Sequence, residues 1–95
     1  PTDAGVAEVA AEAEARTRRL RKHLAAAEAA RRAGNFIRQL TEADFALELS
    51  PREPRARFLA ADALIQSGDL TKGCKYLSRL RTAEARQRAQ DAGCR

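Results

Sequence analysis

An all-α fold of antiparallel helical hairpins, with a long N-terminal helix and a C-terminal capping helix, is predicted by three observations. Ala, Leu, Glu, Arg and Gln, all strong helix formers, dominate the 95 residues. From Val6 to Ala33 the chain has neither Gly nor Pro. Further on, apolar residues recur every three or four positions on both sides of short Gly-containing turns.

Each element has its own local cause. Thr2 and Asp3 are natural N-caps for a helix beginning near Ala4 and running to Ala33, about 42 Å long at 1.5 Å per residue. Val6, Val9, Ala13, Leu20, Leu24 and Ala27 form a sparse stripe along it, broken at Arg16 and Thr17. Its first half is expected to cap the fold or extend from it, in preference to pairing with another copy as a coiled coil. Gly34-Asn35 ends this helix, and Phe36 to Leu49 forms the next, with Phe36, Ile37, Leu40, Ala43, Phe45, Leu47 and Leu49 on its apolar positions. Ser50-Pro51-Arg52-Glu53-Pro54 is the clearest break, because each residue before a proline is pushed out of helical geometry. Pro54 then suits the first turn of a third helix. That helix carries Phe58, Leu59, Ala61, Ala63, Leu64 and Ile65, and Gly68 ends it. Asp69 can cap a fourth helix bearing Leu70, Gly73, Cys74, Leu77 and Leu80. Thr82 can cap a last one from Ala83 to about Ala92, with a weak face of Ala83, Ala85, Ala89 and Ala92 before Gly93.

Two of these stretches are copies. RKHLAAAEAARRAGNFIRQLTEADFA, from Arg21, aligns without a gap on RARFLAADALIQSGDLTKGCKYLSRL, from Arg55, 34 residues later. Ala26-Ala27 match Ala60-Ala61, Ala29 matches Ala63, and Gly34 matches Gly68. Leu24 pairs with Phe58, Glu28 with Asp62, Asn35 with Asp69 and Phe36 with Leu70. A helix-turn-helix repeated at this period resembles the tetratricopeptide repeat family over roughly residues 20 to 85. Ala46 and Pro51 fit the family's closing Ala and Pro. Its Trp slot falls on His23 and Arg57, its Tyr slot on Ala30 and Leu64, and the small residue of its second helix on Gln39 and Gly73. The resemblance implies a right-handed solenoid: an extension over 1–19, repeats over 20–53 and 54–81, and a cap over 82–95. Two repeats are fewer than the three usually needed, so the flanking helices must supply layers, the native chain must be longer, or an open end must dimerise.

Composition narrows the function. Met and Trp are absent and aromatics are 4% of the chain, so the core must be built from Ala and Leu with a few Phe. No run of apolar residues is long enough to span a membrane. The acidic start, lacking a basic stretch followed by an apolar one, is not that of a signal peptide. Net charge is +5, unevenly placed: residues 1–15 hold Asp3, Glu8, Glu12 and Glu14 and no base, whereas RTRRLRKH, residues 16–23, holds five bases and no acid. His23, the only histidine, has no acidic neighbour in sequence; Ser50, Ser67 and Ser78 lack an elbow motif; and no phosphate loop, dinucleotide fingerprint or metal cluster is present. The chain is not expected to be an enzyme or to need a cofactor.

Cys74 and Cys94 leave two readings open. Cys74 can be a small buried apolar residue with Cys94 free at a frayed end. Alternatively, a last helix folding back brings them together, and a disulfide closing that loop would contribute about 3 kcal/mol by chain entropy. The default compartment is cytoplasmic; the disulfide would imply an extracytoplasmic, oxidising one.

In the family, partners lie in a concave groove lined by the first helix of each hairpin. By alignment that groove would hold Arg21, Leu24, Glu28, Arg31 and Arg32 from the first copy. From the second it would hold Arg55, Phe58, Asp62, Ile65 and Gln66. Such a groove is basic with an apolar centre at Leu24, Phe58 and Ile65, and suits a peptide whose acids flank apolar anchors, since arginine forks pair carboxylates. The family's carboxylate-clamping subset has Lys and Asn where Leu24 and Glu28 stand, so a chain-terminal carboxylate is not the expected ligand. The function expected is a non-catalytic interaction module: a scaffold, adaptor or regulatory appendage of a bacterial-type system with an acidic protein or peptide partner. The alternative is a sequence-nonspecific nucleic-acid binder using residues 16–23 on phosphates, although no aromatic is interleaved there for base stacking. Self-association through the N-terminal helix or an open repeat end stays open. A membrane-surface role lacks the bulky apolar face it requires.

Overall fold

The computed structural model describes residues 2–95, with side chains described from Gly5 onward. Five α-helices make up the fold, and no strand occurs among the described residues: α1 (Thr2–Arg32), α2 (Phe36–Leu49), α3 (Pro54–Gln66), α4 (Leu70–Ser78) and α5 (Ala83–Ala92). The caps expected at Thr2 and Asp3 lie outside the described side chains.

The turns repeat in atomic detail. Gly34 and Gly68 both adopt the left-handed conformation, at φ 72° and 96°. That geometry lets Asn35 N–H reach the Ala30 carbonyl and Asp69 N–H the Leu64 carbonyl, each at 2.9 Å. Asn35 Oδ1 then accepts from Arg38 N–H at 3.1 Å, and Asp69 Oδ1 from Lys72 N–H at 3.2 Å. Donor and acceptor in each of these bonds recur 34 residues apart, so the sequence period is also a hydrogen-bond period. Between the copies, Glu53 caps α3 by accepting from Arg55 N–H at 3.2 Å, and Pro54 takes the first turn, where its missing N–H costs nothing.

Short turns force successive helices to run antiparallel, and each packs on the next. Helix α1 also touches α3, and α3 touches α5, so the odd helices form one layer with α2 and α4 behind the seams. The core is alanine-rich. Ala27, Ala43, Leu59 and Ala60 close the α1/α2/α3 contact, with Leu24, Leu40 and Leu47 against them. Ala61, Leu77 and Ala85 close the α3/α4/α5 contact, with Ile65, Tyr76, Leu80 and Ala89. Helix α3 is the centre, buried without interruption from Phe58 to Leu64. Gly73 marks the closest approach of α3 and α4: a Cβ there would lie 2.5 Å from Ile65 Cγ1 and 3.0 Å from the Ala61 carbonyl oxygen.

Two expectations need correction. Ile37 and Phe45 are not core residues, at 70% and 43% exposure, because the buried face of α2 is Gln39, Ala43 and Ala46. Helix α4 ends at Ser78, before Leu80; Arg79 and Leu80 N–H turn back on the Tyr76 and Leu77 carbonyls, which leaves Leu80 against α5. Since α4 has 9 residues where α2 has 14, α5 arrives early and the 34-residue period stops there. Of the two placements expected for the first half of α1, it takes the extension and caps nothing. Residues 5 to 14 are all exposed, and the arm accounts for the 56 Å long axis of a molecule otherwise 26 by 18 Å.

Cys74 and Cys94 are joined in a disulfide, with Cα atoms 5.6 Å apart, so the last helix is tied to α4.

Candidate partner-binding face

The face shared by α1, α3 and α5 carries a connected set of charges. Arg55 sits at the start of α3 and forks between two helices. Its Nε and Nη2 donate to Glu28 of α1 at 2.6 and 2.7 Å, while Nη1 reaches both oxygens of Glu84 of α5 at 3.0 and 3.1 Å. Arg31, one turn beyond Glu28, places Nη1 3.6 Å from Glu84 Oε1 and Nε 3.3 Å from Asp62 Oδ2. Both guanidinium carbons lie over the Phe58 ring, at 5.0 and 5.1 Å from its centroid. An aromatic face stabilises a cation beside it, so Phe58 holds the two arginines together in spite of their like charge.

Asp62 is the buried node, 3% exposed. Oδ1 accepts from Arg88 Nε at 2.6 Å; Oδ2 accepts from Gln39 Nε2 at 2.8 Å and Gln66 Nε2 at 2.6 Å. Burial pushes its acid up, but these bonds and the charges of Arg31 and Arg88 outweigh burial and hold it below the usual aspartate range. Glu28 is likewise held down, chiefly by its hydrogen bond from Arg55, and the Arg55 guanidinium is pushed up by Glu28 in return. Gln39 is fully buried and its Nε2 also donates to the Leu59 carbonyl at 2.9 Å, while its Oε1 has no partner among the described residues.

Of the ten residues that the alignment assigns to a groove, six are joined directly: Glu28, Arg31, Arg55, Phe58, Asp62 and Gln66. Arg21 and Arg32 are exposed and form no ion pair among the described residues, so they are the free cations of this face. Leu24 turns into the core beside Ala27, and Ile65 turns away onto Gly73. The expected open, basic groove with Leu24, Phe58 and Ile65 at its centre is therefore corrected. Arg31, Arg55 and Arg88 face Glu28, Asp62 and Glu84, and those six formal charges cancel.

What sequence reasoning missed is α5. Its alanine face marks it as a cap, but Glu84 and Arg88, four residues apart on the flank of that face, complete the network. A cleft of about 290 Å³ opens beside them, lined by Pro54, Arg55, Phe58, Leu80, Thr82 and Glu84 among others. His23 is also corrected: its Nδ1 lies 2.6 Å from Glu42 Oε2 and its ring centroid 5.1 Å from that of Phe45, so it has an acidic partner after all, on α2. Among the described residues no three His, Cys, Asp or Glu side chains converge as metal ligands, and no helix is long and apolar enough to cross a membrane.

Comparisons with protein-family models, curated proteins and solved structures return no match.

Proposed function

We propose that this chain is a non-catalytic interaction module of the tetratricopeptide-repeat type, a scaffold, adaptor or regulatory domain that takes an acidic segment with an apolar anchor on its α1/α3/α5 face. The repeat reading is supported by the turn hydrogen bonds recurring at 34 residues. The observation that carries the binding reading is Glu84. This carboxylate comes from the next helix, its side chain is 51% exposed, and Arg31 and Arg55 grip it while braced on Phe58. An arginine pair held ready for a carboxylate is a receptor for one. A partner's acid takes the place of Glu84, its apolar side chain enters the cleft by Leu80, and Arg21 and Arg32 meet further acids along the rim. The Cys74–Cys94 disulfide supports placing the module in an oxidising, extracytoplasmic compartment.

The test is fluorescence anisotropy with a labelled peptide of alternating Glu and Leu. Reversing Arg21→Glu with Arg32→Glu breaks no hydrogen bond or ion pair among the described residues, although Arg32 acts on Glu28 through its charge, so it is expected to weaken binding about tenfold with little loss in melting temperature. Equal affinity in wild type and variant would remove the face from consideration. Reversing Arg31 or Arg55 is a poorer test, because each would set a new acid against Asp62 or Glu28.

A second reading, nucleic-acid binding, is favoured by one observation: Arg16, Arg18, Arg19, Arg21 and Lys22 are exposed and form no ion pair among the described residues. It predicts binding to any duplex, lost steeply as salt rises.

A further inference from the structure

We propose that the projecting arm of α1 pairs with the same arm of a second copy of this chain, antiparallel, to make a two-fold symmetric dimer. The inference goes beyond the peptide-binding reading and, apart from Arg21, uses other charged residues.

The first ground is an apolar stripe with no cover. Leu24 and Ala27 pack on the core, and the same side of α1 continues outward through Leu20 and, past the polar break at Arg16 and Thr17, through Ala13, Val9 and Val6. Val6 and Val9 are 68% and 67% exposed, beyond the reach of α2. Small residues along the seam allow two helices to approach closely.

The second ground is the order of charges beside that stripe. At about 100° per residue, Glu8, Glu12, Arg16 and Arg19 run along one flank, and Glu14, Arg18 and Arg21 along the other. On both flanks the acids come first and the bases follow. None of these side chains forms an ion pair within the chain among the described residues. Two antiparallel helices set like flanks face to face with their sequence directions opposed, so acids of each copy meet bases of the other on both sides of the seam. A parallel pair would stack acid on acid and base on base. Antiparallel pairing is also the isologous arrangement, in which each contact occurs twice.

The same charge order selects the occupant. A nucleic acid would neutralise the bases but meet Glu8, Glu12 and Glu14, and residues 5–19 hold no aromatic on which a base could stack. An acidic protein would leave the three glutamates unmatched. A second copy of the arm matches the acids, the bases and the stripe together.

The experiment is sedimentation equilibrium on the full chain from micromolar to millimolar concentration, with two triple variants: Glu8→Lys, Glu12→Lys, Glu14→Lys, and Arg16→Glu, Arg18→Glu, Arg19→Glu. Wild type is expected to dimerise weakly, with affinity falling about tenfold or more between low and high salt. Each variant alone is expected to remain monomeric, and an equimolar mixture to restore the dimer. A wild type that is monomeric throughout, variants that dimerise as wild type does, or a mixture that fails to pair would each overturn the proposal. Pyrene on a Gly5→Cys variant reads the orientation: antiparallel arms hold the tips apart and give no excimer, whereas excimer emission would overturn the antiparallel assignment.

Discussion

Asp62 shows how a charge is kept inside an alanine-rich core. A carboxylate 3% exposed would be costly alone, yet Gln39, Gln66 and Arg88 donate to it from α2, α3 and α5, and Arg31 of α1 pairs with it by charge. Its folded-state pKa is held below the ordinary 3.8, as that of Glu28 is below 4.5. Between the folded and unfolded values the unfolded chain binds more protons, so stability rises with pH through that window. The contribution is complete above the ordinary carboxylate range and is lost as pH falls through it and below. Thermal melts from pH 7 down to pH 2 are thus expected to show acid destabilisation that Asp62→Asn reduces, at a cost at neutral pH of roughly 3 kcal/mol. Equal acid sensitivity in the variant would show that Asp62 is not the node. Gly73 makes the opposite point about size. Ala usually stabilises a helix over Gly by about 1 kcal/mol. Here its Cβ would press on Ile65 and on the fixed Ala61 carbonyl, at 2.5 and 3.0 Å, so Gly73→Ala is expected to lose roughly 1–3 kcal/mol in chemical denaturation. A gain instead would mean that the α3/α4 seam is looser than it stands.

The helices themselves were legible because their punctuation is local. Gly34, Gly68, Asn35, Asp69, Thr82 and the Pro51–Pro54 linker act through bonds within a few residues, and every boundary they mark stands where expected. Tertiary direction was not legible in the same way. Ile37 and Phe45 look like core residues by type, and only the packing of α2 on Ala27 and Leu59 shows that Gln39, Ala43 and Ala46 face inward. Glu84 and Arg88 act on residues 26 to 53 positions away, and nothing local in AEARQRAQDA announces that reach. Helix α5 is held by few apolar side chains, so the disulfide matters for it. Closing that loop stabilises the folded chain by about 3 kcal/mol in the chain-entropy account. Reduction, or Cys94→Ser, is expected to lower the melting temperature and to raise amide exchange first in α5, then around Arg55 and Phe58. Uniform protection after reduction would show that the alanine face and the Glu84 and Arg88 pairs hold the helix unaided.

At the scale of the whole molecule, two unlike surfaces meet in α1. Its C-terminal half is built into the layer of α1, α3 and α5, whose inner charges are mutually satisfied, with Arg21 and Arg32 on the rim. Its N-terminal half stands clear, with apolar stripe and charges uncovered. The repeat arrangement and the two surfaces together give the reading of a module that binds one partner on its face and a second copy through its arm. On the proposed reading, Arg31 and Arg55 form a carboxylate receptor that Glu84 fills in the free protein. Glu84→Gln isolates it, since the variant keeps the shape of the side chain and removes the competing charge. Affinity for the Glu-Leu peptide, measured by anisotropy in parallel with the wild type, is expected to rise about fivefold to tenfold, with helicity unchanged. An affinity equal to or below that of the wild type would mean that Arg31 and Arg55 are not the peptide's receptor, because an internal ligand that competes for the site must, when neutralised, leave the site easier to fill.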